Sequence, residues 1–129
     1  MSGNPPTERQ RLGAVAEDAA LEFLTGHGLV LFARNARYPF GEIDLVMGDG
    51  VTLAFVEVRF RRGSSFGGAA VSVDAGKRRK IARASQAWLS SHRQFANASC
   101  RFDVVAVTPA PGALHCEWIR SAFTLDDLW

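Results

Sequence analysis

Apolar residues recur at Leu12, Ala16, Ala19 and Phe23, the three-to-four-residue period of an amphipathic helix. Thr7 and Gln10 stand three apart just upstream and can close a capping box. The pattern therefore predicts a helix over about residues 8–25, after a frayed start over about residues 1–7, with Gly26 and Gly28 as its stop signal. Three strand-like runs follow: "LVLFARNARYP", "GEIDLVM" and "VTLAFVEVRFRR", the last two joined by a turn at "GDG", residues 48–50. The glycine-rich "GSSFGGAAVSV" then leads to Asp74, a natural N-cap for a second helix reaching about Ser91. "RFDVVAV" at 101–107 has the β-branched continuity of a buried strand, and "TPAPGA" turns it into "LHCEWIR". The closing "AFTLDDLW" is expected to add a short helix or an arm. A strand-helix-strand step between residues 51 and 107 requires a parallel crossover. The expected architecture is one α/β domain over 1–129, a mixed five-stranded sheet flanked by helices in the order α-β-β-β-α-β-β.

The strand pattern has an interruption that core packing does not explain. Glu42, Asp44 and Glu57 break the apolar runs of the central hairpin. A buried ionised carboxylate is costly unless it is paired, hydrogen-bonded or bound to a metal. Hairpin register decides whether these acids meet. A two-residue turn at Asp49-Gly50 pairs Gly48 with Val51, sets Glu42 opposite Glu57 and leaves Asp44 diagonal to Glu57 on one face. A four-residue loop sets Asp44 directly opposite Glu57, and only a three-residue loop or a bulge separates them. Two unit charges ~4 Å apart repel by about 4 kcal/mol at an effective dielectric near 20. A divalent cation, or protonation of one acid, removes that cost. Oxygen donors without His or Cys select a hard ion, Mg²⁺ or Mn²⁺.

Other residues can complete such a site. Glu17 lies at the flank of the first helix's apolar face, on the stripe of Gly13, Ala20 and Leu24, and can turn towards the sheet. Arg59 and Arg61 share the strand face of Glu57; Arg59 either neutralises Glu57 or sits beside a phosphate as an electrostatic clamp. Lys77, Ile81, Ala84 and Trp88 form one stripe of the second helix, so Lys77 faces inward in its first turn. Arg101 and Asp103 on one strand face read as a structural pair, and Phe60 and Phe66 as packing residues that could stack on unpaired bases.

Charge sharpens the picture. Residues 59–83 carry eight basic side chains against Asp74 alone, a local +7, while the rest of the chain is −5. That asymmetry suits a polyanion, and Arg61, Arg62, Arg78, Arg79, Lys80 and Arg83 are the candidate nucleic-acid contacts. The N-terminus lacks the apolar segment of a signal peptide and no run is long enough to span a membrane, so a cytoplasmic location is expected. Cys100 and Cys116 form no C-x-x-C motif and read as reduced, buried thiols.

"GEIDLV", "FVEVRFR", "FGGAAVSVDAGKRRKI" and "RFDVVAV" together resemble the YraN family of small uncharacterised bacterial proteins. That family is more remotely similar to Holliday-junction resolvases within the PD-(D/E)XK nuclease superfamily. The resemblance implies a restriction-endonuclease-like fold and a Mg²⁺-dependent DNA endonuclease, with branched DNA among its substrates and a homodimer as its assembly. It places the superfamily's helical acid on Glu17, its metal-binding acids on Asp44 and Glu57, and its lysine position on Arg59, which departs from the motif. Lys77 is a candidate for the missing amine. Two alternatives remain: a nucleic-acid-binding module with the nuclease fold and no turnover, and a protein-interaction module using the basic helix.

Overall fold

The computed structural model describes residues 3–61 and 73–124. Helix α1 (Glu8–Gly26) precedes strands β1 (Val30–Tyr38), β2 (Gly41–Asp49) and β3 (Thr52–Phe60). Helix α2 (Ala75–Ser90) follows, then a 3₁₀ turn at Arg93–Phe95 that the sequence pattern did not suggest, and strands β4 (Ser99–Ala110) and β5 (Ala113–Phe123). The glycine-rich stretch, with Arg62 and Phe66, and the closing residues 125–129 lie outside the described residues.

Local chemistry sets both helix starts as expected. Thr7 accepts from the Gln10 N–H at 3.1 Å while the Gln10 side chain accepts from the Thr7 N–H at 2.9 Å, closing the capping box. Asp74 accepts from the Lys77 N–H at 2.9 Å, fixing the first turn of α2 and holding the Asp74 carboxyl below its ordinary range.

The strands lie in the order β1-β2-β3-β4-β5, all neighbours antiparallel except β3 and β4, which are parallel. The chain therefore leaves the sheet after β3, crosses one face as α2 and returns beside the strand it left. This is the expected mixed α/β sheet with the expected element order. Each face has its own core. Ala16, Ala20 and Leu24 of α1, spaced one turn apart, pack on Leu45, Met47, Val56, Val105 and Val107. Ile81, Ala84 and Trp88 of α2 pack on Val46, Leu53, Phe55 and Val104. Fully burying a side chain such as Leu24 or Phe55 contributes about 1.5–3 kcal/mol, so the two helices hold the sheet from both sides.

The β2/β3 register differs from the favoured reading. Asp49 pairs with Thr52 and Leu45 with Val56, so the loop is Gly50-Val51 rather than Asp49-Gly50. Gly50 alone takes a left-handed conformation, φ 62°, which suits a turn whose first loop residue is glycine. Continued by one pair, this register sets Asp44 directly opposite Glu57. Glu42 is removed from the pair and instead faces Arg37 of β1, bonded at 3.2 Å.

One distortion helps to aim Asp44. Val46 and Ile43 both join the α2-side core although three residues apart, while Leu45 and Met47 join the other. The two-residue alternation thus breaks around Asp44. On β1 the residue between the flanking pairs Arg34–Leu45 and Ala36–Ile43 is Asn35, which holds φ 54° inside a strand. A kink of this kind re-aims a side chain without ending the sheet.

Candidate functional site

Asp44 and Glu57 are both buried, at 8% and 5% exposure, on the neighbouring strands β2 and β3. The Val58 N–H donates to Asp44 Oδ2 at 2.8 Å, a contact made available where β2 and β3 cease regular pairing beyond Leu45–Val56. Burial, then the charge of Glu57 and a hydrogen bond to it, raise the Asp44 carboxyl to about 8, with a minor push from Glu17. Asp44 is therefore protonated at neutral pH. The like-charge cost foreseen from the strand pattern is met, in the metal-free protein, by a proton.

Two cations reach the pair from different elements. Lys77 Nζ, in the first turn of α2, lies 3.3 Å from Glu57 Oε2, and Arg59 Nη1 lies 3.6 Å from the same oxygen. The inward direction expected of Lys77 follows from the stripe it shares with buried Ile81, Ala84 and Trp88. The ion pair that spacing allowed between Glu57 and Arg59 is present. Both cations line an open cleft of about 680 Å³ between the first turns of the two helices and the end of β3.

Glu17 reaches the sheet by a different route. Its carboxylate accepts from Arg34 Nε at 3.3 Å, and Arg34 Nη2 binds Asp18 at 2.8 Å. Arg34 of β1 thus clamps the two adjacent acids of α1. Glu17 is partly buried and near enough to act on Asp44 electrostatically, yet among the described residues no three of Asp, Glu, His and Cys are grouped to hold a metal ion. The carboxylate pair is two residues, with Glu17 behind it. No local sequence pattern marks Arg34, Arg9 or Glu8; Arg9 and Glu8 line the same cleft because the capping box starts α1 over the end of β3.

The basic residues divide by role. Arg79, Lys80 and Arg83 are exposed on α2, as its polar face predicted. Arg78 is turned inward, bonding the Val73 carbonyl at 2.6 Å and lying over the Phe123 ring, so it packs rather than projects. Arg61 lines the cleft half-buried, and its Nε has no hydrogen-bond partner among the described residues. Phe60 packs against the α1-side core. Arg101 bonds Asp103, as expected of a structural pair. The cysteines are free, but Cys100 is exposed rather than buried, because it sits at the very start of β4 where the sheet ends, and Cys116 is half-buried on the edge strand β5. No described helix is long and apolar enough to cross a membrane.

Comparison with known sequences matches residues 16–107 to the model of an uncharacterised protein family, UPF0102. That span contains Glu17, Asp44, Glu57, Arg59 and Lys77. A UPF0102 protein of Xanthomonas campestris pv. campestris is 53% identical over 122 residues, covering 95% of this chain and 98% of its own. A second, of Stutzerimonas stutzeri, is 48% identical over 117 residues, with 91% and 98% covered. A third, of Pseudomonas savastanoi pv. phaseolicola, is 48% identical over 120 residues, with 92% and 98% covered. With a family model matched over most of its length and relatives aligned nearly end to end, the chain belongs to the uncharacterised family UPF0102, the YraN family.

Proposed function

We propose that this protein is a Mg²⁺- or Mn²⁺-dependent endonuclease that hydrolyses DNA phosphodiester bonds, with branched DNA as its preferred substrate class. One observation carries the reading: two buried carboxylates, Asp44 and Glu57, face each other, and Glu57 lines an open cleft with Lys77, Arg59 and Arg61. The donor set fits a hard divalent cation. It offers only oxygen, and a Mg²⁺ ion keeps several waters and takes one or two protein carboxylates. Asp44 would give up its proton to bind it, a coupling general to metal-ligating groups. Such an ion, when bound, polarises a phosphoryl oxygen and lowers the pKa of bound water.

The chain's own residues do the rest. A guanidinium is a poor proton-transfer group, so Arg59 holds a phosphate oxygen as a fixed clamp. Lys77, at the cleft wall beside Glu57, is the amine that orients water or a phosphate oxygen. Glu17 and Arg34 position the helix behind Asp44. The exposed Arg79, Lys80 and Arg83 carry the rest of the phosphate backbone. A four-way junction has two-fold symmetry, which makes a homodimer the matching assembly.

The test is a Mn²⁺ titration against linear, flapped and four-way DNA. Cleavage by the wild type, lost in Asp44→Ala and reduced in Lys77→Met, is the expected result. No cleavage of any member at micromolar protein would overturn the assignment. A binding module without turnover is favoured by one feature, arginine at position 59 with its guanidinium already on Glu57. It predicts salt-sensitive DNA binding that Mn²⁺ never converts to cleavage.

A further inference from the structure

A second feature lies one helical turn beyond the carboxylate cleft. The β1–β2 hairpin tip carries Tyr38 and Phe40, whose rings lie parallel within 7° at a centroid separation of 5.7 Å. The Arg83 guanidinium carbon sits over the Phe40 ring, 4.7 Å from its centre. Together with Arg37 and Lys80 these side chains line a shallow cleft of about 540 Å³, in which three cations stand against one carboxylate, Glu42. Both rings are only half-buried, although they rest on the α2-side core.

The tip is held in a fixed relation to the carboxylate pair. A Cβ at Gly41 would lie 2.7 Å from the Lys80 carbonyl oxygen, so backbone meets backbone where the hairpin leaves α2. Along β2, Phe40 is four residues from Asp44, about 13 Å at the rise of a strand. Along α2, Lys77, Lys80 and Arg83 follow at three-residue intervals, a gently turning row of positive charge from Glu57 to the rings. Flat rings interleaved with guanidinium and ammonium groups are what unpaired bases and their phosphates bind, because every base has a stacking face and every phosphate a charge. A base inside a duplex offers neither ring face.

We infer that Tyr38, Phe40 and Arg83 form a stacking platform for an unpaired nucleotide, so that the DNA recognised carries a single-stranded segment a few nucleotides from the carboxylate pair. The inference deepens the proposed nuclease reading and rests on it for the position of the scissile phosphate; the platform's own binding does not require cleavage.

The experiment measures fluorescence anisotropy of a labelled oligo(dT) and of a blunt duplex of equal phosphate number, in EDTA so that turnover plays no part. The wild type is expected to bind oligo(dT) more tightly. Phe40→Leu keeps an apolar side chain on the core but removes the flat face, and Arg83→Met keeps a long stem without the guanidinium. Phe40→Leu should weaken oligo(dT) binding at least about fivefold while leaving duplex binding within twofold, and Arg83→Met, which also loses a phosphate contact, should weaken oligo(dT) binding several-fold more than duplex binding, in protein of unchanged Tm. Phe40→Trp should restore the oligo(dT) affinity. Wild-type-like oligo(dT) binding in both variants, or equal loss on oligo(dT) and duplex, would overturn the platform. Because the binding assay runs in EDTA and needs no turnover, failure of the nuclease reading appears in the cleavage assay and failure of the platform in this one.

Discussion

Two carboxylate sites in this sheet look alike in sequence and differ in the fold. Glu57 and Arg59 stand two apart on β3; Arg101 and Asp103 stand two apart on the neighbouring β4. Asp103 is fully buried and saturated. It accepts from Arg101 Nε with both oxygens at 3.1 and 3.0 Å, from Trp118 Nε1 at 3.0 Å and from the Ser121 N–H at 2.9 Å, while Arg101 reaches on to Asp49 at 2.8 Å. Glu57 has a second acid facing it, looser cations at 3.3 and 3.6 Å, and an open cleft in front. A buried acid surrounded by donors is a structural joint. A buried acid facing another acid beside an opening is a site that takes up positive charge.

The sharpest way to break that contrast is to remove each acid in turn. Asp103→Ala leaves the Trp118 and Ser121 N–H groups unpaired and takes from Arg101 one of its two carboxylates, and should cost about 3–5 kcal/mol in urea denaturation, the usual loss when one partner of a buried pair is deleted. Asp44→Asn exchanges an already neutral acid for a neutral amide that can still donate to Glu57, and should cost far less. A similar loss in both would make the two sites equivalent and the contrast false.

A second effect, spread over several pH units, concerns the protonation of Asp44. The folded Asp44 carboxyl titrates near 8 and the unfolded one near 4, so between those values the metal-free folded state holds a proton that the unfolded state has released. Stability therefore falls as pH rises from about 4 to about 8, by at most about 1.4 kcal/mol per unit from this group, and levels off above. Asp44→Asn should flatten that part of the profile, measured by urea denaturation across the range in EDTA. An unchanged slope would place the Asp44 carboxyl among ordinary exposed acids.

What the sequence revealed follows from range. The helix starts were legible because Thr7 with Gln10, and Asp74 with Lys77, act within one turn. The element order and the mixed sheet were legible because a helix between two buried strands requires a parallel crossover. Convergence of Asp44 and Glu57 was legible although the turn lies one residue later than its local chemistry favours, because both registers put the two acids on one face. The kink at Asn35, the Arg34 clamp on Glu17 and Asp18, and the donors that Trp118 and Ser121 bring to Asp103 depend on contacts between distant segments. No local period encodes them. The Tyr38–Phe40–Arg83 cluster was hidden for the same reason, since it forms only when α2 settles on Gly41.

The central claim is that Asp44 and Glu57 form a place for a divalent cation. Calorimetric titration of Mn²⁺ into the protein at pH 6 and pH 8, in buffers of different ionisation enthalpy, tests it most directly. One-site binding that is tighter at pH 8, releases a proton and disappears in Asp44→Asn is the predicted result. Absence of binding at both pH values, or binding that persists unchanged in Asp44→Asn, would contradict it.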